Sequence, residues 1–274
     1  MSANRVATAF FGIVLIALVA QSSQLAAQED AYAGVHTLGV ISALGNTAFY
    51  QKQGITVFDT YDKSFALDWN VDAKVSQALS TTLAARFGIK PAPPLPSKTN
   101  DAFLRIGIFD SGPDFKKLSA YLKQLPSAGD VDAFMVVLPA RIKEDLYMAP
   151  RTLTGIGLYR ETSRSVALTN IEMYAAFGIV VVEARTGNVI SWGYADAFGN
   201  ARHRQGYVRS SCLGSWPTTV DDISSDQKQT INAQTEKLVF RGVAAALRGI
   251  GLPVDLVPNE LPSQPAIIQC SEPS

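Results

Sequence analysis

The residues best suited to chemistry in this 274-residue chain lie in one stretch, FGNARHRQGYVRSSC. There Arg202, His203, Arg204 and Arg209 fall within eight residues, with Tyr207 among them. Guanidinium groups at that density present forked donors suited to a carboxylate, a phosphate or an acidic segment of a partner. His203 has the right chemistry for a general base, but no carboxylate that would orient its ring can be picked out from sequence. A solvated loop carrying three arginines and an idle histidine explains the same residues more simply and is preferred. The five residues are kept as the candidate binding set.

Other constellations are fewer still. His36 and His203 are the only histidines, so no HExxH or paired-ligand spacing exists, and Cys212 and Cys270 make no CxxC. No metal site and no cofactor are expected. There is no GxxxxGK[ST] loop, no GxSxG elbow and no GxGxxG, because Gly155-Ile156-Gly157 is followed by Arg160 where a third glycine is required. The acidic pairs Asp130/Asp132, Glu144/Asp145 and Asp221/Asp222 invite an acid/base or calcium role. Calcium needs several more oxygen ligands, and Asp221/Asp222 is better placed to help start a helix. Trp69, Trp192, Tyr194 and Trp216 have the makings of a pocket, although Trp192 and Tyr194 alternate as core residues do.

The elements that position these residues centre on Ile171 to Asp196. Phe177, Ile179 and Val181 alternate with Gly178, Val180 and Val182, a composition for a strand buried on both faces. Arg185-Thr186-Gly187 then calls for a type I turn closing on a glycine at positive φ. The return strand places Ile190, Trp192 and Tyr194 on one face and Val189, Ser191 and Gly193 on the other.

Before this hairpin, His36 to Leu44 reads as a strand ending at the turn dipeptide Gly45-Asn46, followed by Thr47 to Lys52 and Ile55 to Tyr61 in a small antiparallel meander. Val71, Val75, Leu79, Leu83 and Phe87 then mark a helix over 71–87, with Asn70 as N-cap and Gly88 as its stop. Lys90 to Asn100 is a proline-rich loop. Phe103 to Phe109 is a strand, a helix over 113–125 begins with Pro113 and buries Phe115, Leu118, Leu122 and Leu125, and Val131 to Pro139 is a buried strand, the three resembling a βαβ crossover. Lys143 to Pro150 is irregular, and strands follow at Thr152 to Tyr159 and Ser165 to Leu168. Ala197 to Asp222 is a long aperiodic loop, of a kind that tends to be functional or stapled. A last helix over 227–248 carries Ile231, Leu238 and Ala245 at heptad spacing, and an extended proline-rich tail occupies 253–274.

Met1 to Ala27 has the pattern of a secretory signal peptide: Arg5 in a short n-region, a 15-residue apolar run from Val6 to Ala20, and a small-residue segment ending at Ala27. That run is shorter than the ~20 residues a membrane span needs, so no transmembrane segment is expected after cleavage. Of 24 basic and 24 acidic residues, the segment removes only Arg5 and leaves a formal charge of −1, which argues against nucleic acid as a partner. In an oxidising compartment Cys212 and Cys270 are expected to pair as a disulfide, closing a loop of about 60 residues for roughly 3–5 kcal/mol in the chain-entropy treatment. The alternative is two free thiols.

GIVVVEARTGNVISWGYAD, at 178–196, resembles the strand-TG-strand segment of extracytoplasmic accessory proteins. These are the curli-secretion lipoprotein, the lipoprotein activators of penicillin-binding proteins, and the N-terminal domain of the Tol-Pal β-propeller protein. HTLGVISAL and VSQALSTTLAARFG are comparable to the opening strand and a helix of those families. The resemblance implies a mixed α/β domain used for protein contacts in the cell envelope. This chain has no cysteine at the expected cleavage site, so lipid anchoring is not implied, and no functional residue carries over.

The expected fold is therefore an α/β domain over 28–252, with a mixed, largely antiparallel sheet flanked by helices, located in the periplasm or secreted. The expected function is that of a non-enzymatic accessory or binding protein whose partner is an envelope protein or a small acidic ligand. A periplasmic hydrolase or small-ligand binder with a cleft near 197–222 is the alternative.

Overall fold

β10 (Thr169–Glu183) organises the architecture, because its 15 residues carry four neighbouring strands. The structure, a computed structural model, describes residues 31–53, 61–95, 104–106, 111–144, 151–162, 169–195, 207–210 and 217–252. The first half of β10 lies between β9 (Arg151–Thr162) and β12 (Tyr207–Ser210), both antiparallel to it. Its second half lies between β7 (Ala133–Pro139) and β11 (Val189–Tyr194), again antiparallel. Residues 173–182 are all buried, as the apolar run without polar alternation requires.

Beyond β7 come β1 (Thr37–Ser42) and then β4 (Gly88–Lys90), joined in parallel; beyond β9 come β2 (Thr47–Gln53), parallel to it, and β3 (Tyr61–Ala66). β8 (Arg141–Glu144) pairs with the start of β9, completing a ten-stranded mixed sheet with mostly antiparallel pairings. β5 (Leu104–Ile106) and β6 (Ser111–Pro113) form a separate two-stranded piece.

Among the described residues three helices cover the sheet. α1 (Val71–Leu83) and α3 (Ser225–Gly249) pack on one face, where Leu79, Leu83, Leu238 and Val243 meet Leu38, Met135, Phe177 and Val181. α2 (Phe115–Leu122) packs on the other, burying Leu118 and Leu122 against Phe134, Val136, Val180 and Val182. Strands with both faces covered need apolar residues at every position, which is why β7 is buried throughout. Among the described residues no helix is long and apolar enough to cross a membrane.

Several boundaries differ from the sequence reading. β1 and β2 do not form a meander: Asn46 accepts from Val71 N through its side chain at 2.8 Å and from Leu67 N through its carbonyl at 2.8 Å, so the turn at Gly45, φ +75°, joins strands in different halves of the sheet. Of the strand anticipated at 55–61, residues 55–60 lie outside the described residues and Tyr61 opens β3. α1 has the expected cap, with Asn70 Oδ1 accepting from Ala73 N at 3.2 Å, but stops at Leu83. Gly88 is no helix stop; its N–H donates to His36 O at 2.8 Å as it enters β4.

Pro113 does not begin α2 but ends β6, and Asp114 caps the helix through Lys117 N at 3.1 Å. Pro126 disfavours a helical Leu125, whose ψ is 138°, and a short 3₁₀ turn follows. Among the described residues β5, within the strand anticipated at 103–109, pairs with β6, so the anticipated crossover is not built on it; β7 pairs in parallel with β1 and antiparallel with β10 instead. Lys143 and Glu144 belong to β8 rather than an irregular segment. Ala197 to Asp222 is not loop throughout, since it holds β12 and a 3₁₀ turn at Val220–Asp222. Asp222 caps that turn by accepting from Thr219 N at 3.0 Å, whereas α3 is capped by Ser224 and Gln227.

Candidate functional site

The turn between β10 and β11 closes on the expected geometry. Glu183 N donates to Asn188 O at 2.8 Å, Gly187 N to Glu183 O at 2.8 Å, and Gly187 has φ +77°. The Thr186 hydroxyl bonds the Glu183 carboxylate and accepts from Asn188 N at 3.1 Å, so the only acid of the turn is spent on holding it. Gly187 also faces α2, where a Cβ would come within 2.5 Å of Lys123 Cε. The turn therefore leans on the helix, and the two enclose an open groove of 650 Å³ lined by Phe115, Lys116, Ser119, Lys123, Gly187 and Val189 among others.

An aromatic cluster adjoins this groove through Phe115. Its ring lies 5.9 Å from that of Trp192, which stands edge-on to Tyr194 at 4.8 Å. Trp192 is 40% exposed, the exposed large hydrophobic residue among those described. The sequence reading puts Trp192 in the core, and the correction has a local cause. Pairing passes from Val181↔Ser191 to Val182↔Val189, leaving Ile190 as an extra residue. Such a bulge shifts the alternation by one. Ile190 packs with the α1/α3 side and Val189 with the α2 side. Beyond it, Ser191 bonds the Tyr32 hydroxyl and Gly193 lies under α3, where a Cβ would meet Ala246 O at 2.8 Å.

A second groove, of 820 Å³, borders the same turn and is lined by Val35, Lys123, Val131, Asp132, Glu183 and Arg185 among others. Its acids are committed. Asp132 Oδ2 accepts from His36 N at 2.9 Å, Thr37 N at 2.8 Å and Thr37 Oγ1 at 2.9 Å, clamping the start of β1 to the start of β7. The His36 N–H, followed by the Thr37 groups, holds this carboxyl below its ordinary range, so it stays ionised. Asp72 does the same work at the far end of β1, accepting from Ser42 Oγ at 2.7 Å, Leu44 N at 2.7 Å and Gly45 N at 3.1 Å. Both aspartates thus serve as clamps on the ends of β1.

Family models and curated proteins give no match to this chain. Two solved structures share a weak likeness. One is a lipoprotein from Neisseria meningitidis, at 9% identity and a TM-score of 0.23, covering 74% of this chain and 97% of its own. The other is a hypothetical protein from Chlamydia trachomatis, at 14% identity and a TM-score of 0.24, covering 74% of this chain and 98% of its own. Values this low assign neither a family nor a function.

The candidate binding set is only partly placed. Tyr207 and Arg209 lie in β12, opposite Ala176 and Tyr174, while Arg202, His203 and Arg204 fall outside the described residues. So do Cys212, Cys270, Trp216, Asp145, the strand anticipated at 165–168, the segment 1–27 and the tail 253–274. Of the remaining candidates, His36 and Asp130 are exposed, and Trp69 is buried with its indole N–H donating to Thr235 Oγ1 at 3.3 Å. Residues 217–222 are stapled: Tyr50 Oη donates to Pro217 O at 2.7 Å, Arg160 Nη1 to the same oxygen at 3.3 Å, and Val220 N to Tyr61 Oη at 3.2 Å. Burial pushes the Tyr50 phenol up, so it remains a donor. Among the described residues no group of three or more His, Cys, Asp or Glu is placed to hold a metal.

Sequence reasoning missed Lys116, Lys123 and the exposure of Trp192. The Lys116-Lys117 pair was readable beside the apolar stripe of α2. The one-residue bulge at Ile190 was not.

Proposed function

We propose that this chain is an exported, non-enzymatic binding protein of the bacterial cell envelope that seats an acidic, apolar segment of a partner protein in the groove between α2 and the β10–β11 turn. The observation that carries the reading is Trp192, 40% exposed and tilted against the Phe115 ring beside that groove. What supports a recognition surface is the grouping of this half-exposed indole with Phe115 and Tyr194 at the side of a groove. Lys116 and Lys123 flank the groove and no acidic residue lines it, which selects an occupant of negative charge. Export rests on the pattern of residues 1–27, and the arginine cluster with His203 and Tyr207 belongs to the same reading as a second contact region.

Site-specific photocross-linking tests the assignment. A photoactivatable residue at position 120, on the exposed side of α2, is expected to yield one dominant adduct in intact envelopes, mapped to an acidic, apolar peptide. Lys116→Glu/Lys123→Glu should reduce it at least tenfold. A probe at position 204 measures what the arginine cluster contributes. Adducts formed only from position 204, or from neither, would remove the groove from the function.

A further inference from the structure

We infer that the chain's own tail, residues 253–274, occupies the α2–turn groove when no partner is bound, so that the site proposed above is regulated by an occupant in cis. This rests on the groove being the binding site and adds what fills it at rest. The tail carries Asp255, Glu260 and Glu272 and no lysine or arginine, in a chain with equal numbers of acids and bases. The groove presents Lys116 and Lys123 without an acid in its lining. The two surfaces are complementary in sign, and attraction between them is stronger for a tethered segment than for a free one.

Chemistry beyond charge also matches. The tail has prolines at 253, 258, 262, 265 and 273, and the apolar residues Val254, Leu256, Val257, Leu261, Ile267 and Ile268. Proline-rich segments are pre-extended and pack on exposed aromatic rings, losing little entropy when they dock. Trp192, with the half-buried Phe115 and Tyr194 beside it, supplies such a ring at the end of the groove.

The last described turn of the chain lies against β11: Ile250 O accepts from Tyr32 Oη at 3.1 Å, that hydroxyl also bonds Ser191, and Ile250 Cγ2 would lie 3.0 Å from a Cβ on Gly193. Trp192, between Ser191 and Gly193, points to the opposite face. Among the described residues β11 has β10 as its strand partner on one side and none on the other. The described chain thus ends beside β11, the strand that carries Trp192 and Tyr194. At ~3.3 Å per extended residue, Asp255 reaches ~10 Å and Glu260 ~26 Å from Leu252. Those lengths span the edge strand and the ~12 Å of an eight-residue helix.

Zero-length carbodiimide coupling of the full mature chain, with peptide mapping, tests this directly. Lys74 and Glu236, exposed and 2.7 Å apart, provide an internal control. The expected result is an amide between Lys116 or Lys123 and Asp255 or Glu260 in a yield comparable to the control. That product should fall at least tenfold in Asp255→Asn/Glu260→Gln, while the partner adduct at position 120 rises severalfold. A control product without any groove–tail product overturns the inference. So does a groove–tail product found only between isotopically distinct copies, which assigns the groove to a second chain. In either case an intact partner adduct leaves the binding function standing. Loss of the partner adduct with the groove–tail product retained removes the function but not the tail's place.

Discussion

β11 separates two surfaces that differ in how they are finished. On one side Ser191 bonds Tyr32 and Gly193 lies under α3, a 25-residue helix with ten buried residues. On the other, Trp192 meets α2, an eight-residue helix that buries only Leu118 and Leu122. The sheet residues under both helices are equally apolar, so the contrast lies in the length of the cover. A long helix seals its face, whereas a short one leaves a groove at its side and an aromatic ring in water. Stability and recognition are thereby assigned to opposite sides of the same strand.

The largest expected effect is on the sealed side. Leu238 is 1% exposed in the middle of α3, and Leu238→Ala removes buried methyl groups from a close-packed layer. Urea unfolding should show a loss of about 2–5 kcal/mol. A loss below about 1 kcal/mol would mean that the α3 face yields as readily as the groove does, and the contrast would fail.

An intermediate effect is expected at Asp132, which borders the second groove but serves the scaffold. Asp132→Ala removes the acceptor for three donors at the edge of water, at a cost of about 1–2 kcal/mol near neutrality. The folded pKa is depressed below 3.8, so the carboxylate's contribution is fully present above that value and disappears as pH falls through the folded pKa. The difference between wild type and Asp132→Ala, followed in urea from pH 6 to pH 2.5, should therefore shrink on the acid side. A gap independent of pH would show that the ionised carboxylate is not what joins β1 to β7.

How far these surfaces could be read from sequence depends on the range of the forces that make them. The buried run of β10, the Gly187 turn, the Asn70 cap and the stripe of α3 are set by neighbours within a few residues, and all appear where the pattern puts them. The position of β1 beside β7, and the use of Asp72 and Asp132 as clamps on its two ends, depend on groups 27 to 96 residues away. The orientation of Trp192 turns on a single extra residue at Ile190, which no periodicity distinguishes from regular alternation. For that reason the sequence reading kept the arginine cluster as its candidate and passed over α2.

The smallest effect on stability is expected where the effect on binding is largest. Trp192→Gln removes edge-on packing against Tyr194 and contact with Phe115, worth about 0.5–1.5 kcal/mol in such pairs, but also withdraws exposed apolar surface from water. The two changes oppose each other, so the net loss should stay below about 1 kcal/mol. Thermal unfolding measures that term, and the photo-adduct from position 120 measures the other. If Trp192 were core, the substitution would cost as much as Leu238→Ala, since an amide would replace a fully buried ring. A Tm within a few degrees of wild type together with a lost adduct places the indole on the recognition side of β11. A Tm lowered as far as that of Leu238→Ala would erase the difference between the two faces.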